Sequence, residues 1–331
     1  MLGDPKRPED FKWSLVTLFG DLRTAGLPGL VDFALDHHDN SAISQSNRAF
    51  LLSTASASSE EDGQVGREKI AKRLLPEAVK PSSPWHDYDA FASLLGRAAE
   101  VATPTLTELT RSASAPCRRT ALRALAAPWR FGRTTTPSPT VQALVVNALK
   151  DEDLPVRVAA ISLIPALFKD EPETIRLQRL SELSGFLQSW TQDSPDDPLE
   201  PVLDAATDAI RDFGARSQSA YPAIIALMKK SSMTNRCLVA LASIGPGVPK
   251  VRATLEKLAR SKRHPSNATA VQQLEVLNRN ELELQLQQLL PMGVGVGFCH
   301  RRRPRRFRKA RMNSAAWPGR ARALTAVQKW D

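Results

Sequence analysis

Residue types that can bind metal ions occur together at Asp36-His37-His38-Asp39. Imidazole nitrogens and carboxylate oxygens are ordinary ligands of Zn²⁺ and related ions. No second histidine cluster exists, because His86, His264 and His300 stand alone in the sequence. We therefore interpret the run as a solvated polar turn after a helix, and we predict no bound metal and no cofactor.

The glycines of Gly293-Val-Gly295-Val-Gly297 have the spacing of a phosphate-binding loop. Such loops follow a strand, open a helix and carry a Lys-Ser/Thr pair, and none of these features is present here. The sequence also lacks GxSxG, HExxH and paired CxxC motifs. We find no two carboxylates placed for acid–base catalysis, so we predict that the protein is not an enzyme.

A basic stripe lies on the predicted helix that follows Pro116. Arg119, Arg123 and Arg130 fall near one side of this helix, with Trp129 beside them, opposite the apolar positions. These four residues are candidates for binding an acidic partner or a phosphate. A solvated basic face with no partner is the alternative interpretation.

The strongest charge signal is at the C-terminal end of the chain. Residues 301–331 contain nine Arg, two Lys and one Asp, so they account for the whole formal net charge of +10. Such a run neutralises phosphates without reading base sequence. An accidental extension with no selected role and a protein-binding segment are the alternatives. The candidate polyanion-binding residues are Arg301, Arg302, Arg303, Arg305, Arg306, Arg308, Lys309 and Arg311.

The elements that must position these residues are predicted to be helices. The chain has 331 residues, of which 42% are hydrophobic and only 6% aromatic, as in stacked helices. Three scattered cysteines favour a reduced, cytoplasmic setting over a disulfide framework. No signal sequence is recognisable at the start and no apolar run is long enough to span a membrane, so we predict no membrane partner.

An internal repeat supports this assignment. Gly is followed eight residues later by Pro at Gly20 and Pro28, at Gly96 and Pro104, and at Gly214 and Pro222, with shorter versions at Gly132 and Gly245. The interpretation is a helix that ends at a glycine with positive φ, followed by a helix with proline in its first turn. The predicted helix pairs, after a capping helix over 9–19, are 27–56, 66–95, 101–130, 139–168, 173–213, 219–244 and 248–278. A last helix is predicted over 280–290, and a polar loop over 53–66.

The segment from Ala148 to Ala160 resembles the HEAT repeat. The match consists of Ala148-Leu149, Asp151, Asp153, Val156-Arg157 and Ala160. The resemblance implies an all-α fold, an α-solenoid of about seven helix-turn-helix repeats over residues 1–290, with the second helices lining a concave face. It also implies a ladder between neighbouring units, formed by an Asp in the inter-helix turn and an Arg early in the second helix. Asp151 and Arg157 fit that pattern, whereas Arg118 and Arg236 fit only its Arg half.

The family's usual role implies a cytoplasmic, non-catalytic scaffold or adaptor that binds another protein through the concave face. One alternative is a nucleic-acid-binding protein that uses the Arg-rich tail and the basic stripe. A second alternative is a HEAT-like subunit associated with an enzyme, since lyases occur in the wider group. Residues 291–331 are expected to form a flexible, disordered basic tail, because glycines precede a self-repelling charge block.

Overall fold

The computed structural model describes residues 29–41, 43–56, 64–130, 137–189, 199–261 and 264–289. Every regular element in these ranges is helical, and they contain no strand. The α-helices are α1 (Leu30–His37), α2 (Gln45–Ser56), α3 (Gln64–Val79), α4 (Asp89–Arg97), α5 (Ala99–Leu109), α6 (Ala115–Arg130), α7 (Pro139–Ala148), α8 (Leu154–Phe168), α9 (Glu173–Gln188), α10 (Glu200–Phe213), α11 (Tyr221–Leu227), α12 (Thr234–Ile244), α13 (Pro249–Arg260) and α14 (Asn267–Leu289). Short 3₁₀ helices cover Pro84–Asp87, Gly214–Ala220 and Ser231–Met233. The predicted all-helical class is confirmed.

Alternate helices stack on one another. Helix α2 packs on α4, α4 on α6, α6 on α8, α8 on α10 and α10 on α12. We call these six helices the second-helix stack. Helices α1, α3, α5, α7, α9 and α11 each pack against the member of the stack that follows them in the chain. The hydrophobic core therefore runs continuously between the two sets of helices.

Helix α8 shows how the sequence produces one of these elements. The Asp153 carboxylate accepts a hydrogen bond from the Val156 N–H at 3.1 Å, which caps the helix, and a proline occupies its first turn. The predicted apolar positions Val156, Ala160 and Leu163 are fully buried. The helix pair predicted over 139–168 is confirmed by α7 and α8.

The stack brings α4 and α6 unusually close together. A Cβ atom added to Gly96 would lie 2.3 Å from the Ala127 Cβ and 2.6 Å from the Ala124 carbonyl oxygen. Only small residues permit this approach of two helices. Gly96 is therefore inside α4 and is required by packing, so the prediction that it ends a helix with positive φ is wrong.

The other positions of the predicted Gly and Pro repeat are confirmed in part. Gly214 follows α10 with φ of +61°, as expected. Pro139, Pro222 and Pro249 open α7, α11 and α13 in the first turn, as predicted. Pro104, however, lies inside α5.

A second correction concerns the turn before α13. Gly245 has a negative φ, and Gly247, two residues further on, takes the left-handed conformation with φ of +80°. Gly245 is held by packing instead, because an added Cβ would lie 2.5 Å from Val251 Cγ1.

Two predicted boundaries are wrong. Helices expected to end near 278 and restart at 280 are one continuous helix, α14, since no glycine or proline interrupts 267–289. The bounds of the polar loop expected over 53–66 are wrong, because α2 continues to Ser56 and α3 begins at Gln64, and residues 57–63 lie outside the described ranges. The capping helix at 9–19 and the tail at 291–331 lie outside the described residues.

The chain divides into the units Met1–Leu284 and Gln285–Asp331. Of the second unit only residues 285–289, the end of α14, are described.

Candidate partner-binding surface

A buried ion pair joins two neighbouring helix pairs. The Arg118 guanidinium on α6 donates from Nε to Asp151 Oδ2 at 2.9 Å and from Nη2 to Asp151 Oδ1 at 2.7 Å. It also donates to the Ser112 carbonyl oxygen at 2.9 Å. Burial by itself would raise the pKa of Asp151, but the hydrogen bonds from Arg118 and the Asp153 N–H outweigh it, so that pKa lies below its usual value. The pair fixes the turn before α8 against α6.

Arg157 bonds within its own turn. The predicted ladder joins an Asp in a turn to an Arg of the neighbouring unit, and the contact between Asp151 and Arg118 has this form. Arg157 Nη1 donates to the backbone carbonyl oxygens of Asp151 and Glu152, at 2.7 and 3.2 Å. It therefore closes its own turn, while Arg118, whose own turn has serine in place of aspartate, makes the contact between units.

Arg236 on α12 also has an acidic partner. Its Nε lies 2.7 Å from Asp204 Oδ1 and its Nη1 lies 3.5 Å from Asp208 Oδ2, both on α10. Burial raises the pKa of Asp204, while Arg236 opposes the increase. The sequence matched only the Arg half of the ladder at this position, and the acidic partners of Arg236 lie on a helix instead of in a turn.

The predicted basic stripe is also paired within the chain. Arg119 Nη2 lies 2.5 Å from Asp87 Oδ1 and donates to the His86 carbonyl oxygen at 2.9 Å. Arg123 Nη1 lies 3.0 Å from Asp89 Oδ1. The two arginines therefore join α6 to α4 and its preceding 3₁₀ turn. Their role in binding a partner stays a prediction.

The other two residues of the basic stripe are Trp129 and Arg130. Trp129 is half-buried and packs against the core. The side chain of Arg130, at the end of α6, lies outside the described residues. The structure thus brings Arg119 and Arg123 together on one face, and it places the Trp129 ring at the edge of the core.

Sequence reasoning missed the aspartates that pair with these arginines. Asp87 precedes Arg119 by 32 residues, and Asp204 precedes Arg236 by the same interval. An aspartate 32 residues before each arginine was therefore the available signal.

Equivalent positions on three stacked helices form a register. An exposed proline stands in the first turn of α6, α8 and α10, at Pro116, Pro155 and Pro201. Three and seven residues after each proline, at the spacing of one helix face, lie two side chains that are partly or fully exposed. We call these positions the open face, and they are Arg119 and Arg123 on α6, Val158 and Ser162 on α8, and Asp204 and Asp208 on α10.

The histidines of the predicted polar turn are bonded to backbone oxygens. His38 is only 3% exposed, so the expectation of a solvated turn is wrong for this residue. Its Nδ1 donates to the Leu35 carbonyl oxygen at 2.7 Å, and His37 Nδ1 donates to the Phe33 carbonyl oxygen at 2.9 Å. Within the ranges that the structure covers, no three His, Cys, Asp or Glu side chains are grouped to hold a metal ion.

His86 and Cys117 form a buried pair with the residue types of a nucleophile and a base. His86 Nε2 donates to the Lys80 carbonyl oxygen at 2.7 Å, so Nδ1 accepts from the Thr120 hydroxyl at 2.8 Å. Cys117 Sγ lies 3.7 Å from Nε2, which already carries a proton and cannot take one from the thiol. The pair is therefore a packing contact. Burial raises the pKa of the other described thiol, Cys237, to about 12.

The Arg-rich tail and the glycines at 293–297 lie outside the described residues, so their proposed roles stay predictions. Among the helices that are described, none is long and apolar enough to cross a membrane.

Comparison with known proteins gives little similarity. No protein-family model matches the sequence, and no curated protein matches it. One solved structure that resembles it is the crystal structure of an engineered protein, with 14% sequence identity and a TM-score of 0.39. The match covers 84% of this chain and 77% of that one.

Proposed function

We propose that this chain is a HEAT-like α-solenoid of about seven helix pairs. Helix pairs that bury their faces only against their neighbours are the unit of such arrays. The second-helix stack and the Arg118–Asp151 contact between units support this proposal. The turn of Asp151 to Asp153 has the family's residues at the family's positions.

The protein acts as a non-catalytic scaffold in the cytoplasm and binds another protein through the open face of its second-helix stack. The observation that carries this proposal is the continuous stack from α2 to α12, within which α6, α8 and α10 present equivalent exposed positions. Along that row the side chains are basic on α6, uncharged on α8 and acidic on α10, which suits a protein surface better than a polyanion, since the aspartates of α10 repel phosphates.

A polyanion-binding role is the second candidate, and the charge of residues 301–331 favours it. On this hypothesis the tail binds nucleic acid or another polyanion, while the helical array is only its carrier. Arg119 and Arg123 would contribute little, because their guanidinium groups are already paired with aspartates.

Affinity purification with three versions of the protein tests the proposal. The versions are the full chain, the chain lacking 300–331, and a full chain in which Arg123→Glu and Asp208→Lys alter the open face. A scaffold of the proposed kind retains its protein partners without the tail and loses them when the open face is altered. Partners that depend on the tail and disappear after nuclease treatment would contradict it and support polyanion binding.

A further inference from the structure

We draw no further inference here: the strongest candidate, the serine-containing turn of 112–114 before α6, which repeats the acidic turn of 151–153 before α8 without its charge, is a helix N-terminus at which no second observation points to a phosphate or another anion.

Discussion

At the scale of single residues, the contact between Arg118 and Asp151 is the best defined of the array. Both groups are nearly out of solvent, with side-chain exposures of 10% and 13%, and the arginine makes two parallel hydrogen bonds to the carboxylate. A planar, bidentate pair of this kind is stronger than an exposed ion pair and fixes orientation as well.

Arg118→Ala should lower the free energy of unfolding by about 2–3 kcal/mol, because Asp151 is left partly buried without its donor. Asp151→Ala and the double variant complete a thermodynamic cycle, measured by urea denaturation, and we expect non-additive losses. Arg260→Ala is the control. Its side chain is 80% exposed and pairs only with Glu256 one turn away, so the change should cost less than about 0.5 kcal/mol.

The same pair predicts a loss of stability in acid. The pKa of Asp151 is lowered in the folded protein, so its contribution is fully present above the unfolded value near 3.8 and is lost as the pH falls through the lower, folded value. The difference in stability between the natural protein and Asp151→Asn should therefore shrink between pH 5 and about pH 2. A difference that grows in acid would contradict this assignment.

At the scale of elements, the stack depends on how closely helices approach and on which side of each helix is buried. Gly96 permits the contact between α4 and α6, whereas Gly185 in α9 has nothing within 4 Å of the position of an added Cβ. The two glycines are therefore a natural pair for comparison.

Gly96→Ala should destabilise the protein by at least about 1–3 kcal/mol, because the new methyl overlaps Ala127 and the Ala124 carbonyl group. Gly185→Ala should stabilise it by about 0.4–1 kcal/mol, since alanine restricts the unfolded chain and enters open space. Melting temperatures of both variants check the prediction. A destabilised Gly185→Ala would mean that α9 is packed differently.

Leu163→Ala should lower the free energy of unfolding by about 2–5 kcal/mol. The side chain is completely buried in α8, and alanine leaves a cavity between stacked helices. Ser162→Ala, one residue earlier on the exposed side, should change stability by no more than about 0.5 kcal/mol. Similar losses for the two variants in denaturant titrations would show that the buried side of α8 is misassigned.

At the scale of the whole molecule, helical periodicity and composition sufficed to predict the fold class, and the pairs around α7 and α8. Helical periodicity located Val156, Ala160 and Leu163 correctly because burial of one face determines that pattern. The structural role of individual glycines could not be predicted. Gly96 is required by its close contact with α6, which lies some 30 residues further along the chain. The ion-pair partners of Arg119 and Arg236 could not be predicted for the same reason, because only the packing of the helices brings the distant aspartates close to these arginines.

The tail belongs to this scale because it carries the net charge of the entire chain. The tail should carry any polyanion binding that the protein has, so deletion of 300–331 should abolish any binding to DNA or RNA and leave the melting temperature nearly unchanged. Binding by the full chain should weaken steeply between about 50 and 200 mM salt, as counterion release requires. Electrophoretic mobility shifts measure the effects of the deletion and of salt on binding, and thermal denaturation measures the melting temperature. Retained binding by the shortened protein would place the site on the helical array, with Arg119, Arg123 and Arg130 as the first residues to test.

The succession of contacts from one helix pair to the next also has a mechanical consequence. Tension applied at the two ends of the array loads the contacts between successive helix pairs in series. We expect the helix pairs to be released one after another. Each pair of about 40 residues should release roughly 130 Å of extended chain. Optical-tweezers traces should therefore show a series of small, reversible unfolding steps. A single all-or-none unfolding step would contradict this prediction.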